Sequence, residues 1–304
     1  MKVAIFDIGT NSVIILALEI TNENIRVQFE QALEPRLGEN LQKSKKLSSR
    51  AIERTIRAAV RLIKTTGWPK VENLIAFGTH VLRVAENSDI FIEKFQKRTG
   101  FKVIVLSPEE EALYSCIGSM IDLHVEGDYA IVDVGGGSTE ISYSSGGEYQ
   151  FFSIPVGAVT LTEQFALEQP VNTAAQHKLQ DYINSKLDEV LHGRKIDTVI
   201  GSGGTASSLA MVHLHLGEFE PSKIHGTVID AAEVTKISDN LFSKTLPDLQ
   251  SILFFSPGRA DIIAAGTAIY KNVIQRLEAE RFVISQKGIR WGIAKNYKKF
   301  ISTD

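Results

Sequence analysis

Cysteine is nearly missing: Cys116 is the only one in 304 residues. A single thiol excludes an internal disulfide and fits a reducing compartment. No apolar run is long enough to cross a bilayer, so no membrane partner is expected. Met1 and Lys2 lead straight into a strand-like run without the pattern of a signal peptide, and the expected location is cytoplasmic. Neither sign of charge dominates, with 33 Lys and Arg against 36 Asp and Glu and a net charge of −3. That balance gives no bulk attraction to nucleic acid, so a polyanionic ligand has to meet a local basic site. The seven histidines are scattered. His213 and His215 stand two apart, whereas a helix presents two histidines to one metal at a spacing of four, so they read as structural or surface residues. Low-complexity stretches are absent. Against these absences stands a hydrophobic fraction of 43% with 23% charged residues, ample for a core, and a length that suits two domains.

The most informative stretch is Ile131 to Glu140, IVDVGGGSTE. An apolar run ends in Asp133 and is followed by Gly135, Gly136 and Gly137, then Ser138, Thr139 and Glu140. A buried strand thus delivers a carboxylate to a turn with no side chains to keep an anion from its backbone N–H groups. Two hydroxyls stand ready as further donors to phosphate oxygens, and a second carboxylate lies beyond. Alone, the same residues also fit an ordinary glycine turn in a hairpin. The chain repeats the pattern, however. Ile5 to Ser12 reads IFDIGTNS, and Asp7, Gly9 and Ser12 match Asp133, Gly135 and Ser138 at the same spacing. Strand-like runs, Val13–Ile20 and Ile141–Ser144, leave both loops. Two such strand–loop–strand units can grip a phosphate chain from both sides, and two facing acids suit magnesium, which takes one or two carboxylates plus phosphate oxygens.

In chain order, Val3–Ile8, Val13–Ile20 and Ile25–Gln31 read as a strand meander. The polar stretch Glu34–Leu47 precedes a helix over Ser48–Thr66, capped by Ser48 or Ser49, with Ile52, Ile56, Ala59, Val60 and Ile63 as its buried stripe. Asn73–Phe77 is a strand leading into THVLRVAEN, a helix on which Thr79, Arg83 and Asn87 share one face. Arg83 there is either a solvated arginine or a bidentate phosphate clamp. Phe101–Leu106 leads into SPEEEALYSCIG, where the helix dipole alone accounts for Glu109, Glu110 and Glu111 in a first turn. Residues 119–127 join the halves, giving domains 1–122 and 123–304. A third strand, Tyr149–Pro155, follows the second loop. Helices are expected after VGAVTLTEQF begins and over Thr173–Leu191. The strand Thr198–Ile200 enters Gly201-Ser202-Gly203-Gly204-Thr205 and a further helix, either a tight turn or an anion site at a helix N-terminus. A turn and helix lie within Gly226–Lys244. PGRADIIAAG opens another helix, with Arg259 and Asp261 as a cap and ion pair; Arg281–Ser285 is the last strand. KGIRWGIAKNYKKF forms a basic closing helix that packs back on the first domain.

The paired acid–glycine loops resemble those of the actin and sugar kinase superfamily. With LRVAEN, EEA, GGGSTE, PVGAVTLTEQF, GSGGTASSLA, PGRADIIAAG and GIRWG in series over nearly the whole chain, the sequence resembles the exopolyphosphatase / guanosine pentaphosphate phosphohydrolase (Ppx/GppA) family. That resemblance implies an α/β fold of two actin-like (ribonuclease H-like) domains with the active site in the interdomain cleft. It implies hydrolysis of inorganic polyphosphate, short chains favoured, or of guanosine pentaphosphate. Glu111 falls at the family's catalytic glutamate and Glu140 at its second one. Asn11, Ser12, Arg83, Gly136, Gly137, Ser138 and Thr139 fall where phosphates are held. Gly203 and Gly204, with Thr205, lie on the nucleoside side of nucleotide-binding relatives. Asp7 and Asp133 match the acids associated with Mg2+, to which the family adds room for a monovalent cation and for a homodimer. The sequence departs from the family pattern at Ile14, often basic or histidine, and at Leu113, often arginine. It also ends where longer members continue into helical domains. A ligand sensor without turnover and a kinase of the same superfamily stay open as alternatives.

Overall fold

The computed structural model describes residues 1–21, 24–67, 73–145 and 148–301. The chain forms two compact units, Met1–Glu111 with Gly292–Asp304, and Ala112–Trp291. It passes from one to the other inside a helix, Pro108–Ser119, between Glu111 and Ala112.

The first unit holds strands β1 (Lys2–Ile8), β2 (Val13–Thr21), β3 (Asn24–Leu33), β4 (Leu74–Gly78) and β5 (Val103–Val105), in the sheet order β3-β2-β1-β4-β5. The meander β1-β2-β3 is antiparallel, and β4 and β5 add in parallel to β1. The second unit holds β6 (Tyr129–Val134), β7 (Thr139–Ser145), β8 (Glu148–Ile154), β9 (Thr198–Ser202), β10 (Val228–Asp230) and β11 (Arg281–Ile284). Read from β8, its order is β8-β7-β6-β9-β11-β10. The first five strands repeat the first unit's order and directions. Each unit is therefore a ribonuclease H-like α/β sheet, as expected. The edge strand β10 is only three residues long and buries Ile229 alone, too little apolar pattern to read from sequence.

Register explains why the two acids are equivalent. Asp7 and Asp133 are each the penultimate residue of the strand that starts a meander, and each neighbours a parallel strand, at Phe77 and Ser202 respectively. Opposite them in the hairpins stand Ile14 and Glu140. The second unit thus carries an acid where the first carries an aliphatic side chain.

Helices cover the sheets by the usual apolar stripes. Helix Ser49–Thr65 is capped by Ser48, whose Oγ accepts from Ala51 N at 3.0 Å. Its buried stripe runs Ala51, Ile52, Thr55, Ile56, Ala59, Leu62. Leu62 therefore takes the inward position expected of Ile63, while Val60 and Ile63 lie half-buried at the margin. Thr173–Leu191 is a helix at the expected bounds, with Leu179, Ile183, Leu187 and Leu191 inward at a spacing of four. Helix Ile263–Leu277 is buried on nearly all sides and forms the centre of the second unit's core.

Two expected helices are shorter. THVLRVAEN does not form one continuous helix. It closes after His80–Val84, Ala85 is extended, and a new helix, Ser88–Thr99, starts after Asn87. The break has a cause: Glu86 N bonds Lys45 O, and the Asn87 amide brackets Leu47, accepting from its N–H at 2.8 Å and donating to its carbonyl at 3.0 Å. Asn87 is thereby a structural clasp off the face of Thr79 and Arg83. The basic closing helix spans Ile289–Lys295, ending where Asn296 Nδ2 takes the Gly292 carbonyl. No helix among the described residues is long and apolar enough to cross a membrane.

The shifted stripe is testable. Leu62→Ala is expected to destabilise the protein by about 2–5 kcal/mol, and Ile63→Ala by less than half as much, in urea denaturation. Equal losses would show that the two side chains share the core equally.

Candidate active site

Each acid–glycine loop is closed by the same bond: Gly9 N–H donates to Ser12 O at 2.9 Å, and Gly135 N–H donates to Ser138 O at 3.0 Å. Each is also backed by a segment that takes its carbonyls. In the second unit the backing is the start of helix Ala158–Gln164. Ala158 N–H donates to Gly135 O at 3.0 Å, Val159 and Thr160 N–H donate to Gly136 O at 2.9 and 3.1 Å, and the Thr160 hydroxyl reaches Gly137 O at 3.5 Å. In a trans peptide the N–H points opposite to the C=O. With the carbonyls of Gly135, Gly136 and Gly137 turned to the helix, the N–H groups of Gly136, Gly137 and Ser138 turn the other way. They form a cradle for an anion. Gly157 makes this approach feasible, since a Cβ there would lie 2.5 Å from Gly136 O.

The first loop reaches the same result by different means. Its backing is the irregular segment 35–38, where Arg36 N–H donates to Asn11 O and Gly38 N–H to Thr10 O, both at 2.9 Å. Arg54 holds that segment: its guanidinium bonds the Pro35 carbonyl, reaches the Arg36 carbonyl at 3.1 Å and pairs with Glu39 at 2.8 Å. The N–H groups of Asn11 and Ser12 turn outward accordingly. Asn11 is only 7% exposed, its Nδ2 donates to Ser12 Oγ, and its Oδ1 is buried with no hydrogen-bond partner. A buried amide left incomplete in this way is what a bound ligand or water would complete.

The hydroxyls of the second loop behave differently from the expectation. Thr139 is 0% exposed and its hydroxyl donates to Val156 O, so it is not available to a phosphate. Ser138 Oγ donates to Glu140 Oε1 at 2.8 Å. Donation to an anion in this loop falls to backbone N–H groups. Glu140 is buried and receives a second hydroxyl on the same oxygen, from Ser153 at 2.8 Å. Ser153 faces Glu140 across the β7–β8 register and could have been found by counting that register from the turn.

Asp133 sits in a tight enclosure within the second unit. Ser115 Oγ, on helix Pro108–Ser119, donates to its Oδ2 at 2.6 Å. Gly203, in a left-handed conformation at φ 86°, brings its Cα so close that a Cβ would lie 2.8 Å from Asp133 Oδ1. Burial pushes the Asp133 carboxyl pKa up; the Ser115 hydroxyl, the Arg290 charge and Ser202 pull it back. Tyr270, from the core helix, spans the strand ends that carry this group, bonding the carbonyls of Val132 and Ser202. Gly204, in the first turn of helix Gly203–His213, lies against the guanidinium of Arg259, which would have to move aside for a Cβ there.

The three glutamates of the first unit separate by role. Ser107 and Glu110 form a reciprocal cap: Ser107 N–H donates to Glu110 Oε2 at 2.9 Å and Glu110 N–H to Ser107 Oγ at 3.2 Å. Glu109, exposed, is held below the ordinary carboxylate range by its own backbone N–H and by Ser107. Both therefore serve the helix terminus. Glu111 alone turns inward, 7% exposed, and pairs with Arg83 at 2.6 Å between Oε2 and Nη1. The same Nη1 donates to Leu106 O at 2.9 Å. This is a buried carboxylate in direct contact with a half-buried guanidinium.

Among the described residues no group of three or more His, Cys, Asp or Glu converges to hold a metal. Such a donor set does not suit zinc, which takes three or four protein ligands. It does fit Mg2+, which binds through one or two carboxylates and completes its shell with water and phosphate oxygens. Each unit offers one such carboxylate at its duplicated strand end, Asp7 in the first and Asp133 in the second.

His80 gives a pH test of this region. It lies one turn before Arg83, and burial, with the Arg83 charge, pushes its pKa down from 6.5 to about 4. The folded state thus resists a proton that the unfolded chain accepts near pH 6.5, so the His80 contribution is complete above that pH and is lost as pH falls toward 4. His80→Gln is expected to lose less stability than wild type between pH 7 and 5 in thermal unfolding. Parallel curves would show that His80 titrates as in the unfolded chain.

Residues 17–298 match the Ppx/GppA phosphatase family. A bifunctional 3-dehydroquinate synthase/phosphatase of Fusobacterium nucleatum is 29% identical over 93% of this chain, which spans 44% of that longer protein. Exopolyphosphatase 2 of Mycobacterium tuberculosis is 24% identical, covering 96% of this chain and 97% of its own length. The crystal structure of the Aquifex aeolicus member of the Ppx/GppA family matches with a TM-score of 0.81 at 28% identity, covering 99% of each chain. With duplicated acid–glycine loops in register and a family match over most of its length, this chain belongs to the Ppx/GppA phosphatase family.

Proposed function

We propose that the protein is a phosphohydrolase that releases terminal phosphate from inorganic polyphosphate, with guanosine pentaphosphate as a second substrate, by attack of water. The observation that carries this reading is the inward turn of Glu111 against Arg83. A helix terminus needs Glu109 and Glu110, but not a third glutamate buried on a guanidinium. The near full-length likeness to a relative named exopolyphosphatase supports the substrate class.

Phosphoryl transfer asks a protein mainly to position groups and neutralise charge. In the first unit, the N–H groups of Asn11 and Ser12 bind phosphate oxygens. Arg83 carries a second set of guanidinium donors toward the transferring group and stabilises the charge that develops there. Glu111 orients the water and accepts its proton. In the second unit, the outward N–H groups of Gly136, Gly137 and Ser138 bind phosphate, and Glu140, fixed by two hydroxyls, orders water or the hydrated ion. Mg2+ held by Asp133 of the second unit would neutralise phosphate charge when bound, and Asp7 of the first unit offers a carboxylate of the same kind. A base inside the site, rather than an acceptor hydroxyl, directs transfer to water.

The test is phosphate release with magnesium on short polyphosphate, long polyphosphate and guanosine pentaphosphate side by side. Glu111→Gln is expected to lower turnover by ~10²–10⁴-fold while substrate binding persists. A loss of only two- or three-fold would sink the assignment of the base by the same standard. Arg83→Ala should raise KM and lower kcat together, and an unchanged kcat/KM would remove Arg83 from the chemistry. Tight binding of these ligands without any release would leave a sensor in place of an enzyme.

A further inference from the structure

Ser115 has one proton to donate. On a helix a serine hydroxyl commonly returns that proton to the carbonyl four residues earlier, which here would be that of Glu111. Ser115 instead donates to Asp133 Oδ2 at 2.6 Å. It does so from a position only 2% exposed, where water does not compete. The other carboxylate oxygen is packed against Gly203, and Gly288 closes in beside Oδ2, where a Cβ would lie 3.5 Å away. Among these contacts Ser115 supplies the short directional bond. Ser115 follows Glu111 by four residues on helix Pro108–Ser119.

We propose that Ser115 is a positioning residue for a divalent cation at Asp133: its hydroxyl occupies one lone pair of Oδ2 and sets the carboxylate plane, so that the oxygens meet the hydrated ion in one orientation. The proposal rests on the reading of Asp133 as a magnesium ligand. It extends to Ser115 the rule that partners bonded to a ligating carboxylate tune affinity for the metal. A bond of this kind costs the ligand set no charge and leaves the remaining lone pairs to the cation.

The experiment is a magnesium titration followed by thermal shift, without substrate, on wild type, Ser115→Ala, Ser115→Thr and Asp133→Asn. The alanine variant is expected to raise the magnesium midpoint by ~10–100-fold, while threonine, which keeps the hydroxyl, holds it near the wild-type value. Asp133→Asn is expected to lose the response. If the alanine variant titrates like wild type while Asp133→Asn is silent, the positioning role is overturned and the magnesium site stands. If threonine shifts the midpoint as far as alanine, the hydroxyl is not the operative group and the proposal falls. If Asp133→Asn titrates like wild type, the metal assignment and the proposal fall together. Phosphate release lost in Glu111→Gln would stand apart from all three outcomes.

Discussion

The planar trans amide is the constraint on which the loops depend. A peptide group offers its donor and acceptor on opposite sides. Once a neighbouring segment has taken the carbonyls of a glycine loop, the N–H groups have only one direction left. Both loops in this protein are built on that rule, and each is closed by a single bond from its first glycine to the serine three residues later. The anion site is therefore a property of what lies behind the loop as much as of the loop. Gly157, outside the motif, is what lets the backing helix come this close.

Around these loops the protein buries carboxylates, which is costly unless each is met by a donor or a charge. The partners differ in kind. Glu111 meets a guanidinium, Glu140 two hydroxyls, and Asp133 the Ser115 hydroxyl with Arg290 and Ser202 as further contributors. Burial disfavours the charged form of Asp133, and a cation beside it would offset that cost. Tyr270 holds the strand ends beneath it from the centre of the core, so packing and site share one side chain.

Much of this was legible in the sequence because duplication gave each motif a second copy. Asp7 and Asp133 fall at the same strand position, and the two sheets follow the same order, as the repeated spacing implies. The limits were of three kinds. Thr139 looks like a phosphate donor by position, but a strand residue alternates faces, and its face is the core. The helix through Arg83 stops early because Asn87 finds a partner forty residues away, which no local pattern announces. Ser115, Arg54 and Tyr270 act through contacts between distant elements and sit in segments whose spacing marks them only as ordinary helix. Ser153 was the exception, since register alone places it opposite Glu140.

The two loops are alike in front and unlike behind. The second is backed by a helix, whose successive N–H groups come as a set and can be withdrawn only by unwinding a turn. The first is backed by irregular backbone, held by Arg54 and by the buried side chain of Leu37. Local opening is governed by the least cooperative bonds in a region. The carbonyl partners of the second loop thus go only with a helical turn, whereas those of the first, at Arg36 and Gly38, belong to a segment that can loosen without unwinding a helix.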